Sequence, residues 1–459
     1  MTTRAVTILG AGPAGLGAGY RAAKAGHDVR ILERSERVGG LAGSFEVGGV
    51  RVDHGSHRLH PATAPYLLEE LSRLLGGDLQ QRPRHGRIYL EGRWIAFPLR
   101  APDLIRNLPR SFALAAGRDA AFSALRKPRG ESFADLLLAG LGPAMCERFY
   151  FPYARKMWGL EPEEIDGEQA RRRVSGNAAG KLLRKVGGSG RSSGIFYYPR
   201  RGFGQLWEAL ASAATEAGAA LRLGATVERV EQLPQGFRVT AGGEGFDSAL
   251  LWSTIPLPVL ARLLHPRAPA EVLDAASRLR SRAMVLVYLV LPVAQYTEFD
   301  AHYVPDGGTP VTRVSEPKNY RSGDEPADRT VLCAEVPCAV RDAVWSAADS
   351  GLGTMVQRAL AGMGLPATEP LEVVVKRVPA AYPVYDLGYS ESFDKLEGWA
   401  ESVPGLLTLG RHGLFAHNNS HHALEMGWAA ASALESDGSF DEAAWAFSLA
   451  GFASHVVED

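Results

Sequence analysis

Three glycines stand in the string Gly10-Ala11-Gly12-Pro13-Ala14-Gly15, and an acidic residue, Glu33, follows 23 positions after the first. This spacing suits one piece of chemistry, the binding of a dinucleotide pyrophosphate. Gly10 permits a tight turn, Gly12 lets the pyrophosphate approach the backbone, and Gly15 lets a helix pack closely on a strand. Pro13 and Ala14 complete the turn, and the helix that follows offers free N–H groups and a partial positive charge to the phosphates. Glu33 can accept hydrogen bonds from an adenosine ribose. The bland alternative is a glycine turn that holds no ligand. The context tells against it: an apolar strand at residues 5–9 precedes the turn, an alanine-rich helix runs to Gly26, and Glu33 ends a second strand at 29–32.

A second glycine cluster follows in Arg34-Ser35-Glu36-Arg37-Val38-Gly39-Gly40-Leu41-Ala42-Gly43-Ser44-Phe45. A further close approach of backbone suits a longer cofactor lying across the sheet edge; a flexible surface loop is the competing reading. The string resembles the extended motif of FAD proteins in the amine oxidase, phytoene desaturase and protoporphyrinogen oxidase superfamily. That resemblance implies FAD, with Arg34, Gly39, Gly40 and Leu41 among its contacts. Leu407-Thr408-Leu409-Gly410-Arg411, then a polar loop, then Glu425-Met426-Gly427-Trp428, is similar to the superfamily's C-terminal flavin motif. The resemblance implies a final helix directed at the flavin ring, with Gly410, Glu425 and Met426 in contact and Arg411 as a nearby cation. Many relatives carry an acidic residue after that glycine. Val227, in Ala225-Thr226-Val227-Glu228, matches the segment whose backbone meets the adenine.

Seven of the twelve histidines fall in two windows, His54, His57 and His60, then His412, His417, His421 and His422. In a flavoprotein of this architecture both windows meet beside the isoalloxazine ring. Zinc or iron ligation is the rival, but neither window has the H-E-x-x-H or facial-triad pattern, so no metal is expected. His57 is the candidate catalytic residue, an acid or base near neutral pH, and it lies with Gly55 and Ser56 in a flavin-contacting loop. Gly55-Ser56-His57-Arg58-Leu59-His60 resembles the Gly-Pro-His-x-Phe-His loop of UDP-galactopyranose mutases. Tyr153-Ala154-Arg155-Lys156-Met157-Trp158-Gly159 resembles their Tyr-Thr-x-Lys-Gln-Trp-Gly segment, and Pro199-Arg200-Arg201-Gly202-Phe203-Gly204 their Pro-x-x-Gly-Tyr helix start. Two departures stand out. Gly176 occupies the place of a diphosphate-binding arginine, for which Arg171, Arg172 or Arg173 could compensate, and His417 and Asn418 replace paired tyrosines. Tyr382-Pro383-Val384-Tyr385-Asp386, just after a strand, could wall a substrate pocket or form a packing corner. Trp158 is divided in the same way between pocket and core. Trp158, Tyr382, Tyr385, His417 and Asn418 are the candidate substrate contacts. Residues 176–182 superficially suggest a phosphate loop, but the spacing is one residue short and Leu182 replaces the hydroxyl.

The elements that must position these residues are an α/β set. After the opening unit come a helix at 64–75, a β-hairpin at 87–97 turning at Glu91-Gly92, and a mostly helical stretch from 101 to 186. Ser175-Gly176 and residues 187–194 read as exposed loops or a hinge. A helix at 204–217 precedes three short β segments ending at Trp252-Ser253-Thr254-Ile255-Pro256. Strands follow at 285–291, 331–336 and 371–377, then a last strand at 406–409 and a last helix at 423–434. The fold class is α/β: a discontinuous Rossmann-type FAD-binding domain (1–85, 195–270 and 390–459) with a mixed sheet-plus-helical substrate domain. The latter divides into a largely helical part (86–194) and a sheet-containing part (271–389).

Length and composition agree with this. At 459 residues, 46% hydrophobic and 22% charged, the chain is long enough for two or three domains with large cores. Fifty basic residues against fifty-one acidic ones leave a formal charge of −1, which argues against a nucleic-acid partner. Three cysteines cannot build a disulfide framework, and none lies in a flavin-contacting window, so FAD is expected to be non-covalent. The start of the chain has no secretory pattern, and the longest apolar run, residues 283–294, is too short to span a bilayer. A cytoplasmic protein without stable membrane insertion is the expectation. The amphipathic stretch at 104–125 reads as a helix packed in the substrate domain, with a membrane-surface position as the alternative. The expected activity is FAD-dependent oxidation, with hydride leaving a C–H bond of a small molecule (an amine, alcohol or sugar, or polyene) for flavin N5. A mutase-type isomerisation of a sugar nucleotide is the alternative. A third reading, a binding protein of the Rab escort type without flavin, conflicts with the intact Gly10, Gly12, Gly15 and Glu33 set.

Overall fold

The computed structural model describes residues 5–173, 194–453 and 455–457. Val6–Leu9 and Val29–Leu32 are short apolar strands buried on both faces, the pattern a parallel sheet demands. They form the centre of a five-stranded parallel sheet with spatial order Leu406–Thr408, Leu250–Ser253, Val6–Leu9, Val29–Leu32 and Ala220–Arg222. Its strands come from three separated stretches of the chain. Alternation along each strand divides the side chains between two layers. Val6, Ile8, Val29 and Ile31 meet the helices Pro13–Lys24, Gln205–Glu216 and Ser420–Ser432, while Leu9, Leu32 and Leu251 face a four-stranded sheet and its helices. That second sheet has the order Glu244–Ser248, Gly236–Ala241, Val227–Leu233, Leu264–His265.

The rest of the molecule is organised on a seven-stranded sheet of order Glu372–Val384, Arg280–Leu291, Thr330–Cys338, Arg313–Ser315, Ala301–Tyr303, Gly86–Leu90, Arg93–Phe97. Arg280–Leu291 is the strand that carries most of the chain's longest apolar run. Met284, Leu286, Tyr288 and Val290 point at a helical layer containing Phe133–Leu141 and Phe151–Trp158, and Val285, Val287, Leu289 and Leu291 point at the Asp349–Gly362 helix. Asp53 ties the two parts together. Its carboxylate accepts from Ser44 Oγ at 2.6 Å, from the Phe203 amide at 3.0 Å and from the Tyr198 hydroxyl, and its carbonyl accepts from Tyr288 at 2.6 Å.

The hairpin turns at Glu91-Gly92, both at positive φ, as the sequence predicts. Other expectations need correction. Five strands, not three, lie between the Gln205–Glu216 helix and Ser253, because polar residues alternate on the outer faces and dilute the apolar signal. Glu372–Val384 continues through Tyr382 and Pro383, so these residues belong to the strand and do not follow it; it is an edge strand, where proline is tolerated. The helix expected at 423–434 begins at Ser420 and is followed by another, Glu442–Phe452. Residues 104–125 form two helices, Ala101–Asn107 and Arg110–Ala121, and a short 3-10 turn. The loops expected at Ser175-Gly176 and 187–193, the position of Gly176 and the string 176–182 lie outside the described residues. Among the described residues no helix is long and apolar enough to cross a membrane.

Candidate functional site

A cleft of about 370 Å³ opens at the carboxyl ends of the parallel strands, where open α/β sheets place their ligands. The sequence builds it from turns that leave strands and start helices. Gly10 follows the first strand at φ +99°, and a Cβ there would lie 2.4 Å from Thr254 Oγ1. A Cβ at Gly15 would lie 1.9 Å from the Gly10 carbonyl, so helix and turn are in backbone contact. Gly12 is different: a Cβ there meets no protein atom within 4 Å, because its open side faces the cleft. Pro13 starts the helix, and the first intrahelical acceptor is Gly12 O, which takes the Leu16 amide at 2.9 Å. The amides of Ala14 and Gly15 are therefore left at the helix end.

A second helix end meets the first. Ser420–Ser432 crosses Pro13–Lys24 so closely that a Cβ on Gly427 would lie 2.0 Å from Ala14 O, and one on Gly17 would lie 2.7 Å from Leu424. Asn418, Asn419, Ser420 and Ala423, at the start of the second helix, line the cleft. Two positive helix ends thus point into one space. Glu33 lines another part of it, beside Ala225, Thr226 and Val227. Its carboxylate is held by the Ala11 amide at 2.8 Å and the Ser35 amide at 2.9 Å, and lone pairs remain for further donors.

Arg411 supplies the local cation. Its guanidinium donates to the carbonyls of Ala381 (3.2 Å) and Asn418, reaches Asn418 Oδ1 at 3.4 Å, and lies 5.0 Å from the centre of the Tyr382 ring. Burial pushes its pKa below the ordinary value, but a guanidinium stays charged. Among the described residues no carboxylate pairs with it. His57 and His412 also line the cleft. His57 stacks on Phe203 at 5.5 Å, with Nε2 3.0 Å from the His54 carbonyl, and His412 Nε2 lies 3.0 Å from the Ala380 carbonyl. Burial pushes both rings down to about pKa 4. The expectation that His57 titrates near neutral pH is therefore corrected: its ring is neutral there and can accept a proton only at a cost.

Of the expected cofactor contacts, Gly10, Gly12, Pro13, Ala14, Glu33, Arg34, Gly40, Leu41, His57, Val227, Gly410 and Arg411 line the cleft. The others do not. Gly15 is a helix-packing residue, and Gly39, at φ +100°, packs on Gly43 and Trp207. Gly55 and Ser56 are held against the large sheet, the Ser56 amide donating to Glu335 at 2.7 Å. Glu425 faces Tyr66 and His455 on the far side of its helix, and Met426 is buried with Asn418 Nδ2 on its sulfur.

The candidate substrate residues converge. His417 meets Trp158 at 5.2 Å, Tyr385 at 4.7 Å and Tyr382 at 6.2 Å, and Trp158 meets Tyr382 edge-on at 6.0 Å. The cluster stands directly behind Arg411 and Asn418, and Asn418 is its one member that lines the cleft. His417 is 1% exposed, Trp158 and Tyr385 are also buried, and Tyr382 keeps some open surface. Burial and the guanidiniums of Arg173 and Arg411 hold the His417 ring neutral, with only the Pro383 carbonyl opposing them. Arg173 lies 5.3 Å from the Trp158 ring and 5.2 Å from that of Tyr382. His60, His421, His422 and His455 form a run of ring contacts at 5.7, 4.0 and 4.1 Å, and His54 lies 4.8 Å from the Phe45 ring. Among the described residues no group of His, Cys, Asp or Glu has a geometry that could hold a metal ion.

Sequence reasoning missed Thr254, Thr226 and Asn419. Thr254 was findable, because it ends a central parallel strand, and its hydroxyl donates to Leu9 O at 2.7 Å. The neutral and cationic groups gathered here, two helix ends and a carboxylate at one side, fit an adenine dinucleotide with a bulky second ring system.

Comparisons with known proteins agree. Residues 13–434 match the family described as flavin containing amine oxidoreductase. A putative flavin-containing monoamine oxidase of Mycobacterium tuberculosis is 26% identical over 267 residues, 55% of this chain and 56% of that protein, so the chain spans about half the length of this relative. Reduced UDP-galactopyranose mutase superposes with a TM-score of 0.77 at 19% identity, covering 94% of both chains. A putative protoporphyrinogen oxidase from Exiguobacterium superposes with a TM-score of 0.72 at 18% identity, covering 94% of this chain and 98% of that one. These two likenesses speak to the fold, and the family match speaks to the cofactor: the chain belongs to the flavin-containing amine oxidoreductases, and its cofactor is FAD.

Proposed function

We propose that the protein is an FAD-dependent oxidoreductase that removes hydride from a C–H bond of a small molecule, an amine, an alcohol or sugar, or a polyene. The observation that carries this is one continuous cleft running from Glu33 and Val227, past the glycine turn, to Arg411, His57 and Asn418, with the aromatic cluster behind its far end. When bound, FAD supplies the hydride acceptor. The chain's own groups do the rest. Gly10, Gly12, Ala14 and the helix end hold the pyrophosphate, Glu33 takes the ribose hydroxyls, and the backbone at Val227 supports the adenine. Arg411 and the start of Ser420–Ser432 present positive charge to the cleft and would favour a cofactor that gains negative charge on reduction. Tyr382 and Asn418 orient the substrate, with Trp158, Tyr385 and His417 excluding water behind them. Neutral His57 accepts a hydrogen bond or, transiently, a proton. The three cysteines are buried away from the cleft, which supports non-covalent attachment. The division of the chain into a discontinuous cofactor domain (1–85, 195–270, 390–459) and a substrate domain belongs to this proposal, as does a cytoplasmic location.

One observation favours a second reading, a mutase-like isomerase acting on a sugar nucleotide. Arg173 and Arg411 flank Tyr382, an arrangement that attracts a diphosphate. Anaerobic incubation of the oxidised, FAD-loaded protein with candidate amines, sugar nucleotides and polyenes separates the two. Loss of the flavin's visible absorbance with an oxidised product supports the first reading. Turnover only after prior reduction, with no net change in flavin redox state, supports the second and overturns the first.

A further inference from the structure

We propose that the face of the helical pair at residues 101–125 docks on an anionic lipid surface. The Arg110–Ala121 helix is pinned by one side only. Phe112 is buried among Ile88, Ile95 and Ala144, and the Asp119 carboxylate, also buried, accepts the Ala144 amide at 2.8 Å. Arg110, Leu114, Arg118, Ala121, Phe122 and Leu125 recur at three- and four-residue steps on the opposite side. Leu114 is 76% exposed, Phe122 54% and Leu125 78%. Large hydrophobic side chains this open are few among the described residues, and three of them fall within twelve positions here.

The exposed charges of residues 100–129 have one sign. Arg100, Arg106, Arg110, Arg118, Lys127 and Arg129 are exposed, and among the described residues none is in an ion pair. The stretch has two carboxylates, and both are engaged within the fold. Asp103 accepts the Ala96 amide and the Asn107 side chain at 2.8 Å each, while Asp119 lies 3.7 Å from Arg126. A cationic face with apolar side chains between its arginines, on a chain of formal charge −1, is complementary to an anionic bilayer interface. A second copy of the same face would repel the first. This proposal stands apart from the flavin chemistry.

The test is flotation of the FAD-loaded full chain with vesicles of phosphatidylcholine containing about one-third phosphatidylserine, compared with phosphatidylcholine alone. At least tenfold stronger association with the anionic vesicles is expected, weakening as salt is raised. Arg110→Ser/Arg118→Ser and Leu114→Ser/Leu125→Ser should each weaken it at least fivefold while flavin content and circular dichroism stay unchanged. Phe447→Ser, at an 83% exposed site on another helix, should change nothing. Absence of flotation with anionic vesicles overturns the proposal. So does binding unaffected by the leucine pair, or capture on immobilised polyglutamate without vesicle binding, which would indicate an acidic protein partner.

Discussion

Gly10 and Gly12 sit two positions apart and do different work, which gives a sharp test. A side chain at Gly10 meets Thr254 and a strained φ of +99°, so Gly10→Ala should destabilise the fold itself. A Cβ at Gly12 meets no protein atom within 4 Å and its open side faces the cleft, so Gly12→Val should cost the flavin-free protein far less stability than Gly10→Ala while weakening FAD at least a hundredfold, about 2.7 kcal/mol. Isothermal titration and differential scanning calorimetry on both variants check this; equal loss of stability in the two would contradict it. His57 gives a second prediction. With its pKa pushed down to about 4, it contributes no inflection to the rate of flavin reduction between pH 6 and 8, so wild type and His57→Asn should share the shape of that profile. An inflection near 6.5 present only in the wild type would refute the assignment. The glycines and Glu33 were legible because each role follows from local chain geometry. Asp53 was not: its partners Tyr198 and Phe203 lie about 150 residues away, and nothing local marks such a carboxylate as a hub.

The crossing of Pro13–Lys24 and Ser420–Ser432 decides whether both positive ends reach the cleft. Gly427 is the contact point, and Gly427→Leu should force the helices apart, costing about 1–3 kcal/mol and most of the bound FAD. Gly398 is the control, an exposed glycine inside the Tyr389–Glu401 helix with nothing near its missing Cβ. Gly398→Ala should stabilise by about 0.5–1 kcal/mol and leave flavin content alone, since glycine is a poor helix residue. Urea unfolding monitored by circular dichroism and flavin absorbance distinguishes the two. Elements were read from the sequence where one period dominated, as in Val6–Leu9 and the Glu91-Gly92 hairpin. Reading failed where prolines interrupt an edge strand, as at Pro379 and Pro383 in Glu372–Val384, because an edge strand can lack amides on its open side and still pair. It also failed to foresee that Gly427 seats one helix on another, since only the two backbones together show why a side chain is forbidden there.

Across the molecule, histidines buried without charge partners set the response to acid. His302, His417 and His421 are buried, and desolvation holds His302 and His421 near pKa 3 and His417 well below its ordinary value. An unfolded histidine titrates near 6.5. The unfolded chain therefore binds more protons below that pH, and the stability these residues contribute is complete above about 6.5 and lost as pH falls toward 3. At pH 5 His302 and His421 give a slope of about 3 kcal/mol per pH unit, and His417 adds to it in the same direction, so the midpoint of urea unfolding should fall steeply between pH 6.5 and 5. A flat profile there would show that these rings are charged in the folded state. Titration of the flavin-stripped chain with FAD tests the account most directly, followed by the spectral change of the bound ring and compared with Gly12→Val and Glu33→Ala. The account predicts one FAD per wild-type chain and at least a hundredfold weaker binding by Gly12→Val. A folded wild-type chain that takes up no FAD, or a Gly12→Val variant that takes it up equally well, would contradict it.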